Sequence, residues 1–233
     1  MNLLSSDPAF DWFSADAYLF DIDGTLLNTR DGVHYYAFRN ALRDVFGVDA
    51  NIDGVPVHGN TDLGILRAVL RRAGITDDEF TRGLPRAITQ MCDEVLKNAN
   101  ALRVEVCASI PELLQRLRAG GKLLGIVSGN LEPIGWAKLE AAGLRRFFDF
   151  GSFSDDCEQR EAIFGHGISE AKARAGADAT VCIFGDTPSD IEAARRNGVP
   201  IVAVATGIFH REQLAQLQPD MCIACCTDLL CKS

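Results

Sequence analysis

Tyr18-Leu19-Phe20 runs straight into Asp21-Ile22-Asp23-Gly24-Thr25, and this junction constrains the fold more than any other stretch of the chain. The apolar run reads as a strand buried on both faces, as strands of a parallel sheet are. The two aspartates then stand at its carboxyl end, where open α/β sheets place their ligands. Two carboxylates so close repel unless a cation lies between them or one holds a proton. Asp, Gly and Thr are also ordinary turn residues, which accounts for Gly24 but not for the paired acids.

Downstream the same design recurs. Apolar runs at 122–127 and 179–184 end in Ser128-Gly129-Asn130 and in Gly185-Asp186-Thr187-Pro188-Ser189-Asp190. A fourth run, 200–204, ends near Thr206-Gly207, and 220–225 is a candidate fifth strand. Helical periodicity fills the gaps at 109–119, 131–142, 161–175 and up to Asn197. Gly165-His166-Gly167 predicts an interruption in the third of these. Strands that alternate with helices call for a doubly wound parallel sheet, a Rossmann-like α/β core.

Between 31 and about 100 the pattern is helical only. Helices are expected over 32–46, 63–72 and from Asp77 to about Asn98, the last broken near Leu84-Pro85. The predicted organisation is a core of residues 1–30 and 104–233, interrupted by an all-helical insert over 31–103.

The formal net charge of −9 argues against nucleic acid or an anionic membrane surface as partner. No run reaches the length of a membrane span, and residues 1–13 lack the basic and apolar regions of a signal peptide. A cytoplasmic protein is expected, a monomer or weak homodimer. Its eight cysteines are then reduced. Cys222, Cys225, Cys226 and Cys231 invite a metal reading, but with no second paired-cysteine knuckle they read better as small buried hydrophobes.

In a parallel sheet the three polar clusters lie along one edge. Asp21, Asp23, Asp186 and Asp190 gathered there suit a hard divalent cation such as Mg²⁺. The Ser128-Gly129-Asn130 loop, ahead of a helix, offers a hydroxyl, backbone amides and a helix N-terminus to an anion. The sum predicts a magnesium-assisted phosphate site.

The same pieces in this order resemble the motifs of the haloacid dehalogenase superfamily, phosphoglycolate phosphatase and β-phosphoglucomutase branch, over nearly the whole chain. The resemblance implies Asp21 as nucleophile, forming an aspartyl-phosphate. It implies Asp23 as the general acid and base, with its backbone carbonyl on the metal. Phosphate binding falls to Gly24, Thr25, Ser128, Gly129 and Asn130, and metal binding to Asp21, Asp23, Asp186 and, at one remove, Asp190. A second aspartate favours phosphoryl transfer over dehalogenation, which needs no acid there.

The resemblance also implies a cation ahead of the Asp186 motif, commonly as Lys-Pro. No Lys-Pro occurs here. Arg160 stands at about the right spacing, with Lys172 as the alternative; the family role implies contact with both nucleophile and phosphate. The helical insert matches the C1 cap, hinged near 28–31 and 103–108. His34, Tyr35, Arg39, Asn60 and Asp62 are its candidate substrate contacts. As catalysts the scattered His34, His58, His166 and His210 are disfavoured, any one being more often a surface or packing residue, and Trp136 is read as packing. The expected activity is hydrolysis of a small phosphorylated metabolite. The alternatives are a phosphomutase and a non-catalytic binding protein, the latter disfavoured by the intact Asp21, Asp23, Ser128 and Asp186. A phosphonate-cleaving relative needs a Schiff-base lysine from the cap, and the single lysine of the insert, Lys97, lies near its far end, which disfavours that reaction.

Overall fold

The computed structural model of the chain describes residues 4–5 and 10–230. Its main sheet has the order β1-β9-β8-β7-β2-β5-β6. The strands are β1 (Leu4–Ser5), β2 (Ala17–Phe20), β5 (Leu123–Val127), β6 (Phe150–Ser152), β7 (Val181–Gly185), β8 (Ile201–Val204) and β9 (Met221–Ile223). Six run parallel, and β1 joins β9 antiparallel at one edge. The expected doubly wound core is therefore present.

The signature strand β2 lies at the centre of the sheet, with Phe20 in register with Ile126 of β5 and Phe184 of β7. Alternation along β2 feeds two cores. Tyr18 and Phe20 join Leu124, Ile126, Phe184 and Val204 on one face. Helix α4 (Ile110–Ala119) covers that face with Ile110, Leu113, Leu114 and Leu117. Ala17 and Leu19 join Ile183 and Ala203 on the other, under α6 (Arg160–Ala175) and α7 (Pro188–Arg196). Each fully buried Leu or Phe of these layers contributes about 1.5–3 kcal/mol.

Two expected breaks in helices do not occur. Helix α6 continues through Gly165-His166-Gly167, because a Cβ at Gly167 would stand 2.5 Å from Val127 Cγ1, so the small residue lets the helix lie close on the sheet. Helix α3 (Asp77–Lys97) continues through Pro85. Pro85 and Thr81 are both exposed, so the carbonyl left without its helix partner lies on the solvent side of the helix.

Helices α1 (Val33–Phe46), α2 (Asp62–Arg72) and α3 build their own apolar cluster around Phe38, Leu42, Leu66, Leu70, Phe80 and Val95. Thr61 caps α2 by accepting from the Gly64 amide, and Thr76 with Glu79 forms a capping box on α3. The cluster also takes in Leu131, Ile134 and Ala137, from the start of α5 (Glu132–Ala141). The helical block is thus anchored on the core, not only tethered to it.

Its tethers are two strands that the sequence reading did not foresee, β3 (Leu27–Thr29) and β4 (Val104–Val106), paired antiparallel. They close the neck of the insert. The Arg30 amide donates to the Arg103 carbonyl at 2.7 Å and Arg103's amide to Asp31 at 2.6 Å. Among the described residues the cysteines are free, with Cys222 and Cys226 buried; Cys231 lies outside those residues.

Candidate active site

Parallel register delivers the three polar clusters to one edge. Asp21, Ser128 and Asp186 each follow the last residue of adjacent strands β2, β5 and β7. A cavity of about 420 Å³ lies between this edge and the helical insert, and Asp21, Asp23, Gly24, Ser128, Gly129, Asn130, Arg160 and Asp186 line it.

Oxygens of Asp21, Asp186 and Asp190 lie within 4.8 Å of one another, all three residues buried. Arg160 is the cation among them. Its Nη2 stands 2.9 Å from Asp21 Oδ1 and its Nε donates to Asp190 Oδ1 at 2.6 Å. It is the first residue of α6 and lies over the Phe164 ring, 5.5 Å from its centroid. Burial acts to lower its pKa, but the charges of Asp190 and Asp21 outweigh that and raise it. Lys172 sits exposed in the last turn of the same helix, far along from this start.

One guanidinium does not neutralise three carboxylates. Burial first, and then neighbouring carboxylates, push the carboxyls of Asp21 and Asp186 up despite Arg160. Two glycines crowd Asp186, since a Cβ on Gly24 or Gly207 would overlap its carboxylate. A set of hard oxygen donors, underneutralised and held in a glycine cradle, fits a small divalent cation such as Mg²⁺. Asp21 and Asp186 both line the cavity. Asp190 differs. It is absent from the cavity wall, and both its oxygens are taken within the protein: Oδ1 by Arg160, Oδ2 by the Thr187 amide at 2.9 Å and hydroxyl at 2.7 Å. It braces Arg160. Thr25 is likewise withdrawn, its hydroxyl donating to Asp186 Oδ1 at 3.2 Å.

Asp23 has a different set of neighbours. Its Oδ1 accepts from the Thr29 hydroxyl at 3.1 Å, and its Oδ2 from Asn130 Nδ2 at 2.8 Å and Lys138 Nζ at 2.7 Å. Burial would raise this carboxyl, but the Lys138 charge and the bonds from Asn130 and Lys138 hold it down at about 2. Lys138 was missed by the sequence reading. It sits in α5 on the stripe of Leu131, Ile134 and Gly135, and a lone charge on such a stripe was the available signal.

From the helical insert, His34 and Tyr35 of α1 and Asn60 and Asp62 at the start of α2 line the cavity, as do Phe38 and His58. Arg39 does not. One step beyond Phe38, it turns toward Asp49 at 3.7 Å on another face of the insert. Asp62 works as a clasp: its amide donates to the Gly129 carbonyl at 2.7 Å, and its Oδ2 accepts from the Leu131 amide at 2.9 Å. Gly129 permits the approach, because a Cβ there would overlap the Asn60 carbonyl oxygen. A second clasp is Arg67 of α2, whose Nε donates to Glu158 at 2.7 Å. The loop after β8 closes the remaining side, with the Thr206 hydroxyl donating to the Gly24 carbonyl at 2.6 Å.

The haloacid dehalogenase-like hydrolase family profile matches residues 18–204, from the signature strand to the end of β8. The chain is 31% identical over 215 residues to a phosphoglycolate phosphatase of Synechococcus elongatus, which covers 92% of this chain and 95% of that one. It is similar in structure to a protein of Haemophilus somnus described as a predicted phosphoglycolate phosphatase, with TM-score 0.62, 21% identity, and 93% and 96% of the two chains covered. A β-phosphoglucomutase of Clostridium difficile follows at TM-score 0.60 and 17% identity, covering 87% and 88%. No helix among the described residues is long and apolar enough to cross a membrane. The chain belongs to the haloacid dehalogenase-like hydrolase family.

Proposed function

We propose that the chain is a Mg²⁺-dependent phosphatase of small phosphomonoesters that works through an aspartyl-phosphate on Asp21. The observation that carries this reading is the placement of Arg160, which bridges Asp21 and Asp190 beside the Ser128 loop and inside a cavity roofed by helices.

Asp21 Oδ1 is the nucleophile. As its bond to phosphorus forms, the bond from phosphorus to the ester oxygen breaks, and Asp23, ionised beside Lys138, relays to the leaving oxygen the proton carried by the phosphomonoester monoanion. Asp23 then accepts a proton from water as water attacks phosphorus, releasing inorganic phosphate and restoring Asp21. Arg160, the Ser128 hydroxyl and the amides of Gly129 and Asn130 bind the phosphoryl oxygens. Its Nη2 is buried without an aligned hydrogen bond, so Arg160 has donor capacity to offer. Asp21, Asp186 and the Asp23 carbonyl would hold Mg²⁺, with Asp190 acting through Arg160. When bound, the ion neutralises charge on the phosphoryl group.

Residues 31–103 serve as the cap. Its cavity wall of His34, Tyr35, Phe38 and Asn60 leaves room for a small ester and shields the transfer from bulk water. The cavity's size and the similarity to phosphoglycolate phosphatase put small phosphorylated acids first. The test is phosphate release from a panel of small phosphomonoesters, with and without Mg²⁺ and with no bisphosphate added. Metal-dependent release that Asp21→Asn abolishes is the expected result. Turnover that survives in EDTA or in Asp21→Asn, or that requires a bisphosphate, would sink the proposal.

A further inference from the structure

Lys138 is a lysine only 3% exposed, on a helix whose other buried residues are apolar or glycine. Burying an ammonium is costly unless it is paired and hydrogen-bonded. Lys138 is both. Its Nζ donates to Asp23 Oδ2 and to Asn130 Oδ1, each at 2.7 Å, and Asn130 Nδ2 itself donates to Asp23 Oδ2 at 2.8 Å. The three side chains close a triangle, and Asn130 Nδ2 ties it to the Ser128 hydroxyl at 2.9 Å. The Thr29 hydroxyl holds the other Asp23 oxygen.

A buried charge of this kind has no structural necessity. The neighbouring helix positions pack against apolar side chains, and a leucine or methionine would fill the same stripe. What the ammonium adds is a charged fixed point for Oδ2 of Asp23, whose side chain is 41% exposed to the cavity and whose other restraints are the neutral donors Thr29 and Asn130. We infer that Lys138 is a positioning residue: with Asn130 it pins Asp23 Oδ2 and so aims the Asp23 carboxyl at the ester oxygen and at the attacking water. This inference rests on the proposed phosphatase reading, and on Asp23 as its acid and base.

Misplacing a catalytic group by about 1 Å costs on the order of 10²-fold in rate. Lys138→Met should therefore lower kcat for an alkyl phosphate about 10²-fold and leave KM nearly unchanged, since the phosphoryl group is bound by other residues. An aryl ester with an acidic phenol, p-nitrophenyl phosphate, leaves without a proton. On it the variant should give a burst of phenolate matching the enzyme concentration, then slow turnover limited by water attack. A purely structural role would depress both phases and both esters alike. If Lys138→Met does not fold, Lys138→Gln takes its place.

The decisive comparison is the cycle of Lys138→Met, Asp23→Asn and the double variant. If Lys138 acts through Asp23, its loss costs nothing further once Asp23 is neutralised. Additive losses, or a Lys138→Met enzyme with wild-type kcat while Asp23→Asn is crippled, overturn the inference alone. A wild-type enzyme with no Mg²⁺-dependent turnover, or an Asp23→Asn variant with none of the expected loss, overturns the underlying reading instead.

Discussion

Asp186→Asn should make the metal-free protein more stable and the enzyme dead. Asp186 is 3% exposed and shares a space of 4.8 Å with carboxylate oxygens of Asp21 and Asp190. Two like charges at that separation repel by roughly 3–4 kcal/mol at an effective dielectric constant of about 20. Asp186 faces two of them and one guanidinium, which leaves about one repulsion unopposed. After relaxation a gain of about 1–3 kcal/mol is expected from the neutral amide, or roughly 3–10 °C in Tm for a chain of this size. The amide oxygen can still accept from the Thr25 hydroxyl, so no partner is orphaned.

The pH dependence has a definite sign. Burial and the neighbouring carboxylates raise the folded-state pKa of Asp186 above its unfolded value. The penalty is therefore absent below about pH 3.9, grows as pH rises, and is complete above the folded pKa. Thermal unfolding in EDTA should show the variant ahead of wild type at pH 8 and level with it near pH 4. Saturating Mg²⁺ should then reverse the order, because wild type gains about 2.7 kcal/mol at a hundredfold excess over Kd and the variant gains little. A variant less stable than wild type in EDTA at pH 8 would refute the reasoning, by showing the carboxylate already neutralised within the protein.

Arg160→Lys should keep the charge but lose the fork that spans Asp21 and Asp190, lowering kcat about 10²- to 10³-fold; steady-state kinetics with the best panel substrate reads this, and wild-type kcat would count against the bridging role. Gly129→Ala should force the Asn60–Thr61 backbone off the Ser128 loop, at about 1–3 kcal/mol in urea unfolding and with a raised KM. An unchanged KM there would mean that the clasp does not shape the cavity. For Asp23 the pH sign is opposite to that of Asp186. Its carboxyl is held down at about 2, so its stabilising pairing is present above about pH 3.9 and lost as pH falls through 2. Solvent screening at this partly exposed group keeps the effect small, and acid unfolding of Asp23→Asn should begin close to the wild-type pH.

The core was legible because its strands are apolar runs that end abruptly in chemistry, and parallel register then brings those ends together. Asp21, Ser128 and Asp186 could be placed on one edge for that reason alone. Arg160 was harder, since its acidic neighbours in sequence suggest an exposed charge. The resemblance implied the contact with Asp21, and folding adds Asp190 as its second acid. Lys138 was invisible to motif reading because its partner Asp23 is distant in sequence, although its position on an apolar stripe was there to be seen. Arg39 failed by one helical step, about 100° of rotation, Phe38 taking the place on the cavity wall. Asp190 and Thr25 sit where expected along the chain, but their oxygens face other side chains and not the cavity. The neck strands β3 and β4 were too short for a periodic signal, though Val104-Glu105-Val106 does alternate.

The central claim is that Asp21 carries the phosphoryl group. Acid quenching during turnover with Mg²⁺ and substrate, followed by borohydride reduction of any acyl phosphate and peptide mass spectrometry, tests it directly. Reduction at Asp21 to the corresponding alcohol, absent without substrate and absent in Asp21→Asn, is the predicted result. Rapid turnover with no reducible site at Asp21, or with the label on another carboxylate, would contradict the account.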